Sequence, residues 1–379
     1  MEKNEVKRIA AIILAAGFSE RMVDFKPLLK IGSKTALQKC LDLFASAAIE
    51  DILVISGHNK DLLSKIITSS KAVQVFNHQY KQGMFSSIAS GIRAIEAPCD
   101  AFFILPVDIP LVRKATVQQL LNQFIKFRPA VCYPVFDNHR GHPPLIAATL
   151  IPEILNWQGR GGLAGFLRQM EHLSLDVQVA DQAVLLDMDT PSDYHALQKR
   201  MERYDIPTKK ECQALLQNVC RVEVKIQAHC KMVARVARGL AEALLQTGLF
   251  IDLDLLEAAA IVHDLARGQQ NHGQAGAQLL NQWGFGALAP LVAAHMDLNV
   301  LPKDPLNETQ LLYLADKLVA EDRIVDLDLR FQSKLDQYGH NQKAIHRICA
   351  RWETANTIRT RIESALGLPL EQILIPVFQ

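Results

Sequence analysis

Histidine and aspartate side chains stand on apolar helix faces in the second half of the chain. His229, His263 and Asp316 each share such a face with apolar residues three or four positions away, and Asp264 directly follows His263. A buried imidazole needs a partner, and an isolated buried carboxylate is costly unless it is paired or bound to a metal. A divalent metal held by these residues would satisfy them all, and their nitrogen and oxygen ligands favour Mn, Fe, Ni or Mg over a structural zinc. A lone histidine would instead be a hydrogen-bonded core residue.

A second set of residues, in the first half of the chain, could bind a triphosphate. The apolar run 9–14 leads into the turn Leu14-Ala15-Ala16-Gly17, and the cations Arg21 and Lys26 follow it. Small side chains let backbone N–H groups approach phosphate oxygens, and cations neutralise charge that would repel an attacking group. No Gly-Lys-Ser/Thr sequence follows, so the turn is not a Walker A loop. By itself the turn could equally be an ordinary connection between a strand and a helix.

Length and composition limit the class of protein. The chain has 379 residues, more than the roughly 100–200 of one domain, so two domains are expected. Apolar residues make up 49% and charged residues 21%, which is typical of a globular protein. A formal net charge of +1 provides no field that would recruit nucleic acid or an anionic membrane. The seven cysteines are scattered without a C-x-x-C pair, and no signal-peptide pattern is seen, which together indicate reduced thiols in the cytoplasm.

Two different hydrophobic patterns divide the chain. Before about residue 200, short apolar runs alternate with helical patterns, which predicts a largely parallel sheet with helices on its faces. The predicted strands are 9–14, 52–56, 73–76, 102–106 and 131–135. The charged segment 196–207 ends in a proline and indicates a domain boundary.

Beyond this segment, the apolar spacing is close to 3.6 residues, which predicts helices. The predicted helices are 227–246, 253–267, 273–283, 288–295 and 308–325, with a further helical pattern in the tail. We therefore expect a Rossmann-like α/β domain at residues 1–200 and an all-helical domain at residues 208–379.

Five segments of the first domain, in order, resemble the molybdenum cofactor cytidylyltransferase family, a branch of the sugar-nucleotide-type nucleotidyltransferases. The matching segments are LAAGFSERMVDFKPLL (14–29), NHQYKQGMFSSIASG (77–91), LPVDIPLV (105–112), RGHPPL (140–145) and LDMDTPSDY (186–194). The resemblance covers most of residues 9–194. It implies that residues 14–17 hold the nucleotide and that an acceptor phosphate attacks the α-phosphorus of a nucleoside triphosphate, releasing pyrophosphate.

Carboxylates in these segments are candidate metal ligands. Asp108 follows a predicted buried strand, at the sheet edge where open α/β sheets bind ligands, and could hold Mg²⁺. The resemblance implies that Asp187 and Asp189 add a second carboxylate arm. Each of the three could alternatively cap a turn or a helix.

The resemblance also assigns the remaining contacts of the first domain. Ser86 and Ser87 would meet the base or ribose, unless they only cap the next helix, and His142 would contact the acceptor. Lys26 and Arg21 would stabilise the transferring phosphate. Ala16, in place of a second glycine, resembles the cytidylyl-type loop and favours CTP. Val23 and the glycine-rich loop 159–165 depart from the family pattern, which leaves the acceptor site the least defined part.

The second domain resembles the HD phosphohydrolase superfamily, in which His, His-Asp and Asp on successive helices bind metal. His272 and His295 resemble the additional histidines of a subgroup that binds a second metal and cleaves dinucleoside polyphosphates. Two metals would activate a bridging water and stabilise an in-line displacement. Lys317 would hold the leaving phosphate, and Arg267 either joins it or is a solvated surface cation.

These observations predict a bifunctional enzyme that uses an NTP and a small phosphorylated substrate such as molybdopterin. A molybdoenzyme is a further candidate partner, and the oligomeric state is left open. One alternative is a transferase for a sugar or alcohol phosphate. Another is a regulatory fusion in which one domain only senses nucleotide, although Lys26, Asp108 and the His/Asp set are all present, which disfavours it.

Overall fold

The computed structural model describes residues 8–18, 22, 24–300, 304–338 and 340–375. The chain divides into two compact units, Met1–Tyr204 and Asp205–Gln379. Unit 1 is α/β and unit 2 is almost entirely helical, so the predicted fold class is confirmed. Among the described residues, none of the helices is long and apolar enough to cross a membrane.

Unit 1 is built on strands separated by helices. Its strands are β1 (Ile9–Ala15), β2 (Lys30–Ile31), β3 (Lys34–Thr35), β4 (Asp51–Ser56), β5 (Val73–Phe76), β6 (Ala101–Pro106), β7 (Val131–Phe136), β8 (His139–Arg140), β9 (Leu145–Ala147) and β10 (Ser174–Gln178). Its α-helices are α1 (Ala36–Ser46), α2 (Lys60–Thr68), α3 (Met84–Arg93), α4 (Lys114–Phe127), α5 (Ile151–Leu155), α6 (Gly162–Gln169) and α7 (Pro191–Glu202). Short 3₁₀ helices span Lys26–Leu28, Tyr80–Gln82, Ala148–Leu150, Glu171–Leu173 and Gln182–Leu185.

The main sheet of unit 1 has eight strands in the order β10-β7-β9-β6-β1-β4-β5, with β8 paired to β7. Strand β1 runs parallel to both β4 and β6, as the buried apolar runs predict. Strand β9, however, runs antiparallel to β6 and β7, so the sheet is mixed rather than largely parallel. A strand of three residues after a proline-rich turn is too short to show a pattern in the sequence.

The register of the central strands brings together the carboxyl ends of β1, β4 and β6. Leu14 of β1 lies opposite Pro106 of β6, and Ala15 lies opposite Ser56 of β4. Because these strands are parallel, the residues that follow them emerge at one edge of the sheet. That edge carries the turn after β1 and the loop that contains Asp108.

Unit 2 packs long helices around a buried centre. Its helices are α8 (Lys209–Ala214), α9 (Val224–Leu245), α10 (Leu253–Val262), α11 (His272–Trp283), α12 (Ala289–Ala294), α13 (Glu308–Lys317), α14 (Leu327–Tyr338), α15 (Gln342–Leu366) and α16 (Leu370–Ile373), with a π-helical turn at Leu215–Val219 and a 3₁₀ turn at Gly286–Leu288. Two short strands, β11 (Val319–Ala320) and β12 (Arg323–Ile324), form an antiparallel hairpin. Helix α9 packs against both α10 and α13.

Two predicted helices are too long. Helix α13 ends at Lys317, and the hairpin of β11 and β12 follows, so Val319 and Ala320 do not share a helix face with Asp316. Helix α10 ends at Val262, and His263 and Asp264 lie in the turn after it. There the backbone tightens, because the N–H of Leu265 donates to Val262, three residues earlier.

Candidate active sites

A cleft of about 690 Å³ opens at the carboxyl edge of the unit 1 sheet. The backbone N–H of Val107 donates to Leu14 at 3.1 Å, which joins the loop after β6 to the end of β1. The cleft is lined by the predicted turn Leu14 to Gly17, and by Lys26, Ser87, Asp108 and Asp189. The tertiary structure therefore brings together residues from four of the five matching segments.

Lys26 lies between two of the predicted metal ligands. Its Nζ is 2.6 Å from Oδ1 of Asp189 and 3.1 Å from Oδ2 of Asp108. Burial opposes the charged amine, but the hydrogen bonds and charges of Asp189 and Asp108 outweigh it and raise the pKa of Lys26. Asp187 is close to the same group: burial and the charges of Asp189 and Asp108 raise its pKa. Three carboxylates around one ammonium leave excess negative charge, which suits an added divalent cation.

The two serines form part of a loop network. The Nδ2 of Asn77 donates to Ser86 at 2.8 Å and to Ser87 at 3.0 Å. The hydroxyl of Ser86 also contacts the carbonyl oxygens of Gln79 and Gly83 at 2.9 and 2.8 Å. Ser87 is 5% exposed and faces the cleft. Ser86 thus braces the loop before α3, and Ser87 is the serine placed for a ligand.

His142 lies near the carboxylates without bonding to them. Burial lowers its pKa, and the charges of Asp108 and Asp187 oppose that shift, which shows that these groups are close in space. Its Nδ1 is buried and makes no hydrogen bond within the described part of the chain. A contact between His142 and an acceptor remains a prediction.

Aromatic residues at the mouth of the cleft were not predicted from the sequence. The ring of Phe18 lies 5.1 Å from that of His58 and 5.3 Å from that of Tyr80, centroid to centroid. These residues follow three different strands, β1, β4 and β5, so no single segment of the sequence predicts that their rings meet. Arg21 and Val23 lie outside the described residues.

In unit 2, three histidines turn one ring nitrogen toward a common centre. The Nδ1 atoms of His229, His263 and His295 bond to the carbonyl oxygens of Glu321 (2.8 Å), Ala260 (2.8 Å) and Val292 (2.6 Å). A carbonyl oxygen only accepts, so each Nδ1 carries a proton. Nε2 is thereby left as the nitrogen of each ring that is directed at the centre, as it is in metal-binding histidines.

Two aspartates complete this centre. Oδ1 of Asp316 is 3.1 Å from Nε2 of His229 and 3.6 Å from Nε2 of His263. Oδ1 of Asp264 is 3.2 Å from Nε2 of His272 and 3.5 Å from Nε2 of His295. Asp264 therefore lies between two groups of ligands.

The buried atoms of the centre fit a metal. Nε2 of His263 and Oδ1 of Asp264 are buried, and no aligned hydrogen bond reaches either from a residue that the structure describes. Two overlapping groups have ligand atoms within 4.8 Å of one another: His229, His263 and Asp264, and Asp264, His272 and His295. Buried polar atoms are seldom left without partners. One or two divalent ions would supply them.

The two predicted phosphate-holding cations are placed differently. Lys317 is 4% exposed, and its Nζ bonds to Oδ2 of Asp316 at 2.6 Å and to the carbonyl of His295 at 2.8 Å. Arg267 pairs with Asp264 and keeps a half-exposed side chain. Arg267 can therefore reach a ligand, whereas Lys317 holds the carboxylate of Asp316 in place.

Comparison with known proteins defines the class of the chain. The first unit has a mixed sheet, a small-residue turn and clustered carboxylates, and the second is helical with clustered His and Asp residues. This arrangement is typical of an enzyme with a nucleotidyltransferase-family domain and an HD domain. Residues 11–174 match the MobA-like NTP transferase domain, and residues 226–321 match the HD domain. The two matched regions follow one another along the chain.

Three curated relatives each match half of this chain or less. A probable molybdenum cofactor guanylyltransferase of Synechococcus elongatus is 28% identical over 50% of this chain and 97% of its own length. A similarly named protein of Bacillus cereus is 30% identical over 37% of this chain and 66% of its own length. The bifunctional protein GlmU of Syntrophomonas wolfei is 30% identical, but the match spans about a quarter (26%) of that protein and 30% of this chain. Among solved structures, Rv0371c from Mycobacterium tuberculosis is 21% identical with a TM-score of 0.46, over 52% of this chain and 100% of its own.

Proposed function

We propose that unit 1 transfers a nucleoside monophosphate from an NTP to a phosphorylated acceptor. The observation that carries this proposal is Lys26, which is held between Asp108 and Asp189 at the edge where residues 14–17 form a small-residue turn. The acceptor phosphate oxygen would form a bond to the α-phosphorus, and the bond from that phosphorus to the bridging oxygen of pyrophosphate would break. No covalent intermediate on the protein is required.

Each residue of the cleft has a proposed role. Lys26 would neutralise charge on the transferring phosphate, and backbone N–H groups of residues 14–17 would bind phosphate oxygens. Asp108, Asp187 and Asp189 would hold Mg²⁺, which supplies charge neutralisation when bound. Ser87 would contact the nucleoside, and His142 would contact the acceptor. The functional domains are proposed to be residues 1–200 and 208–379.

CTP and a molybdopterin-type acceptor are the proposed substrates. Ala16 in the turn supports CTP through its resemblance to the cytidylyl-type loop. GTP is the alternative, and it is supported by relatives that are named molybdenum cofactor guanylyltransferases. Direct competition between the two nucleotides decides this point.

We also propose that unit 2 is a metal-dependent phosphohydrolase. The unpaired buried atoms of His263 and Asp264 and the inward-facing Nε2 atoms support this activity. His229, His263, Asp264, His272, His295 and Asp316 would hold one or two ions of Mn, Fe, Ni or Mg. Bound metal supplies an activated water and charge stabilisation. Arg267 would bind the substrate phosphate, and Lys317 would position Asp316.

Paired variants test both activities in the full chain. Purified protein is incubated with each NTP and molybdopterin, and separately with phosphate esters and dinucleoside polyphosphates after loading with Mn or Fe. Asp108→Ala should abolish the NDP-linked product and leave hydrolysis intact, and Asp264→Ala should do the reverse. Native product formation by Asp108→Ala, or hydrolysis that needs neither metal nor Asp264, would contradict the respective assignment.

A further inference from the structure

A cavity of about 490 Å³ opens beside the metal centre of unit 2. His229 of the centre forms part of its wall, so a molecule in the cavity would lie against one of the candidate metal ligands. Arg267 and Arg330 line it as well, and the apolar side chains of Val224 and Val319 cover another part. The cavity therefore combines cations, an apolar surface and access to the centre.

Arg330 is held in place by one nitrogen. Its Nη1 donates to the carbonyl oxygens of Asp316 (2.8 Å), Lys317 (3.0 Å) and Val319. Its Nε and Nη2 make no hydrogen bond to the described residues. A guanidinium carries five N–H groups in a planar fork, and this fork binds phosphate oxygens in pairs. Arg330 is thus an oriented cation with unused donors beside the cavity.

Arg267 lines the same cavity. It pairs with Oδ2 of Asp264, which links it to the metal centre, and its side chain is 51% exposed. Both guanidinium groups therefore lie on the wall of one cavity. Two cations on one cavity wall favour an anion between them.

The remaining lining limits what the anion can be. Glu321 and Asp322 also face the cavity, and their carboxylates would repel a ligand with many phosphates. They would accept hydrogen bonds from hydroxyl or amino groups. A cavity of this volume is much larger than a phosphate ion, and Val224 and Val319 would cover the apolar faces of an organic group.

We infer that this cavity binds a phosphate monoester of a hydroxyl-bearing organic molecule. Arg330 and Arg267 hold its phosphate next to His229, and Glu321 and Asp322 accept hydrogen bonds from its organic part. The inference rests on the proposed phosphohydrolase for its chemistry, since the bound phosphate is the group that would be cleaved or released. Arg330 has no role in the predictions drawn from the sequence.

Equilibrium dialysis with CMP tests the binding directly. All proteins carry Asp108→Ala, which removes a proposed metal ligand of the unit 1 cleft. The dialysis contains EDTA so that CMP is not hydrolysed, and metal content is assayed on separate Mn-loaded samples. Arg330→Met and Arg267→Met should each weaken CMP binding about tenfold or more, as expected for a lost charge-assisted hydrogen bond, with the same metal content. Lys343→Met, which removes an exposed cation of α15, is the matched control.

Further variants separate binding from folding and from catalysis. If Arg330→Met fails to fold, because Nη1 holds three carbonyls, Arg330→Lys and Arg267→Met decide the question. With 4-nitrophenyl phosphate as substrate, the arginine variants should raise KM more than they lower kcat. If variants at both arginine positions bind CMP as tightly as the parent protein, the inference is overturned, even if the protein hydrolyses 4-nitrophenyl phosphate. Arginine-dependent binding without any hydrolysis would instead count against the phosphohydrolase.

Discussion

The Nε2 atoms of His272 and His295 lie 3.2 Å apart. His295 donates from Nδ1 to the carbonyl of Val292, so its neutral ring directs a lone pair at His272. Oδ1 of Asp264 lies within 3.5 Å of both rings. Three atoms that can each bind a metal converge on one point, where a shared divalent cation would stabilise them.

Substitution of either histidine should therefore lower metal content. His272→Ala and His295→Ala each remove one ligand of the second group and leave His229, His263 and Asp316 in place. We expect less bound metal per chain by elemental analysis, and a smaller rise in Tm when Mn is added. A metal present at about 100 times its Kd stabilises the native state by about 2.7 kcal/mol. Equal metal content in these variants and in His346→Ala, on an exposed face of α15, would show that the pair binds no ion.

Loss of the Lys26 ammonium should slow nucleotidyl transfer. In Lys26→Met, the carboxylates of Asp108 and Asp189 lose the cation that lies between them. We expect kcat to fall by about 10²–10³, as when one group that stabilises transition-state charge is removed. Steady-state release of pyrophosphate measures this, and Lys34→Met, an exposed lysine paired with Asp42, is the control. Equal rates for both variants would exclude Lys26 from the reaction.

Gly91 should not tolerate a methyl group. A Cβ at this position would lie 2.7 Å from Cγ2 of Ile12, which is fully buried in β1. Alanine favours a helix by about 1 kcal/mol over glycine, but overpacking a core costs about 1–3 kcal/mol, so Gly91→Ala should destabilise unit 1. Calorimetry of the metal-free protein should show a lower Tm for the unfolding of unit 1. Ser90→Ala, one position earlier on α3, should not lower it, and a rise in Tm for Gly91→Ala would refute the prediction.

Lys334 should make the stability of unit 2 depend on pH. Burial, and then the positive charges of Arg330 and Lys317, lower its pKa to about 8, against about 10.4 in the unfolded chain. Between these values the unfolded state binds more protons, so stability rises with pH, by up to about 1.4 kcal/mol per unit. Below pH 8 the cost of the buried charge is fully present.

Lys334→Met should remove this slope and raise Tm at pH 7. Calorimetric Tm values at pH 7, 8 and 9.5 for wild type, Lys334→Met and the exposed-site variant Lys343→Met provide the comparison. A slope that persists in Lys334→Met would assign the pH dependence to another group.

Local pattern was sufficient for much of the fold. Strand β5 has the predicted bounds, and β1, β4, β6 and β7 differ from theirs by one residue at an end. Buried parallel strands are continuous apolar runs, so burial on both faces is visible in the sequence. The two domain families also matched the resemblances drawn from short motifs. Which residues of each motif act in chemistry stays a prediction.

The end of helix α13 illustrates what local pattern could not determine. Apolar spacing continues past Lys317, yet the helix stops there, and Arg330 donates to the carbonyls of Asp316, Lys317 and Val319. Those contacts depend on a residue more than ten positions away, which no periodicity encodes. Likewise, Phe18, His58 and Tyr80 follow β1, β4 and β5, and they meet because these strands run parallel.

The sequence by itself determined the α/β and helical halves, and it predicted the small-residue turn and the candidate metal ligands, because burial periodicity and residue chemistry are local properties. The tertiary structure alone decided the antiparallel β9, the placement of Lys26 between two aspartates, and the cavity beside His229. These features arise from packing between segments that are distant in the chain. They depend on tertiary contacts that no single segment encodes.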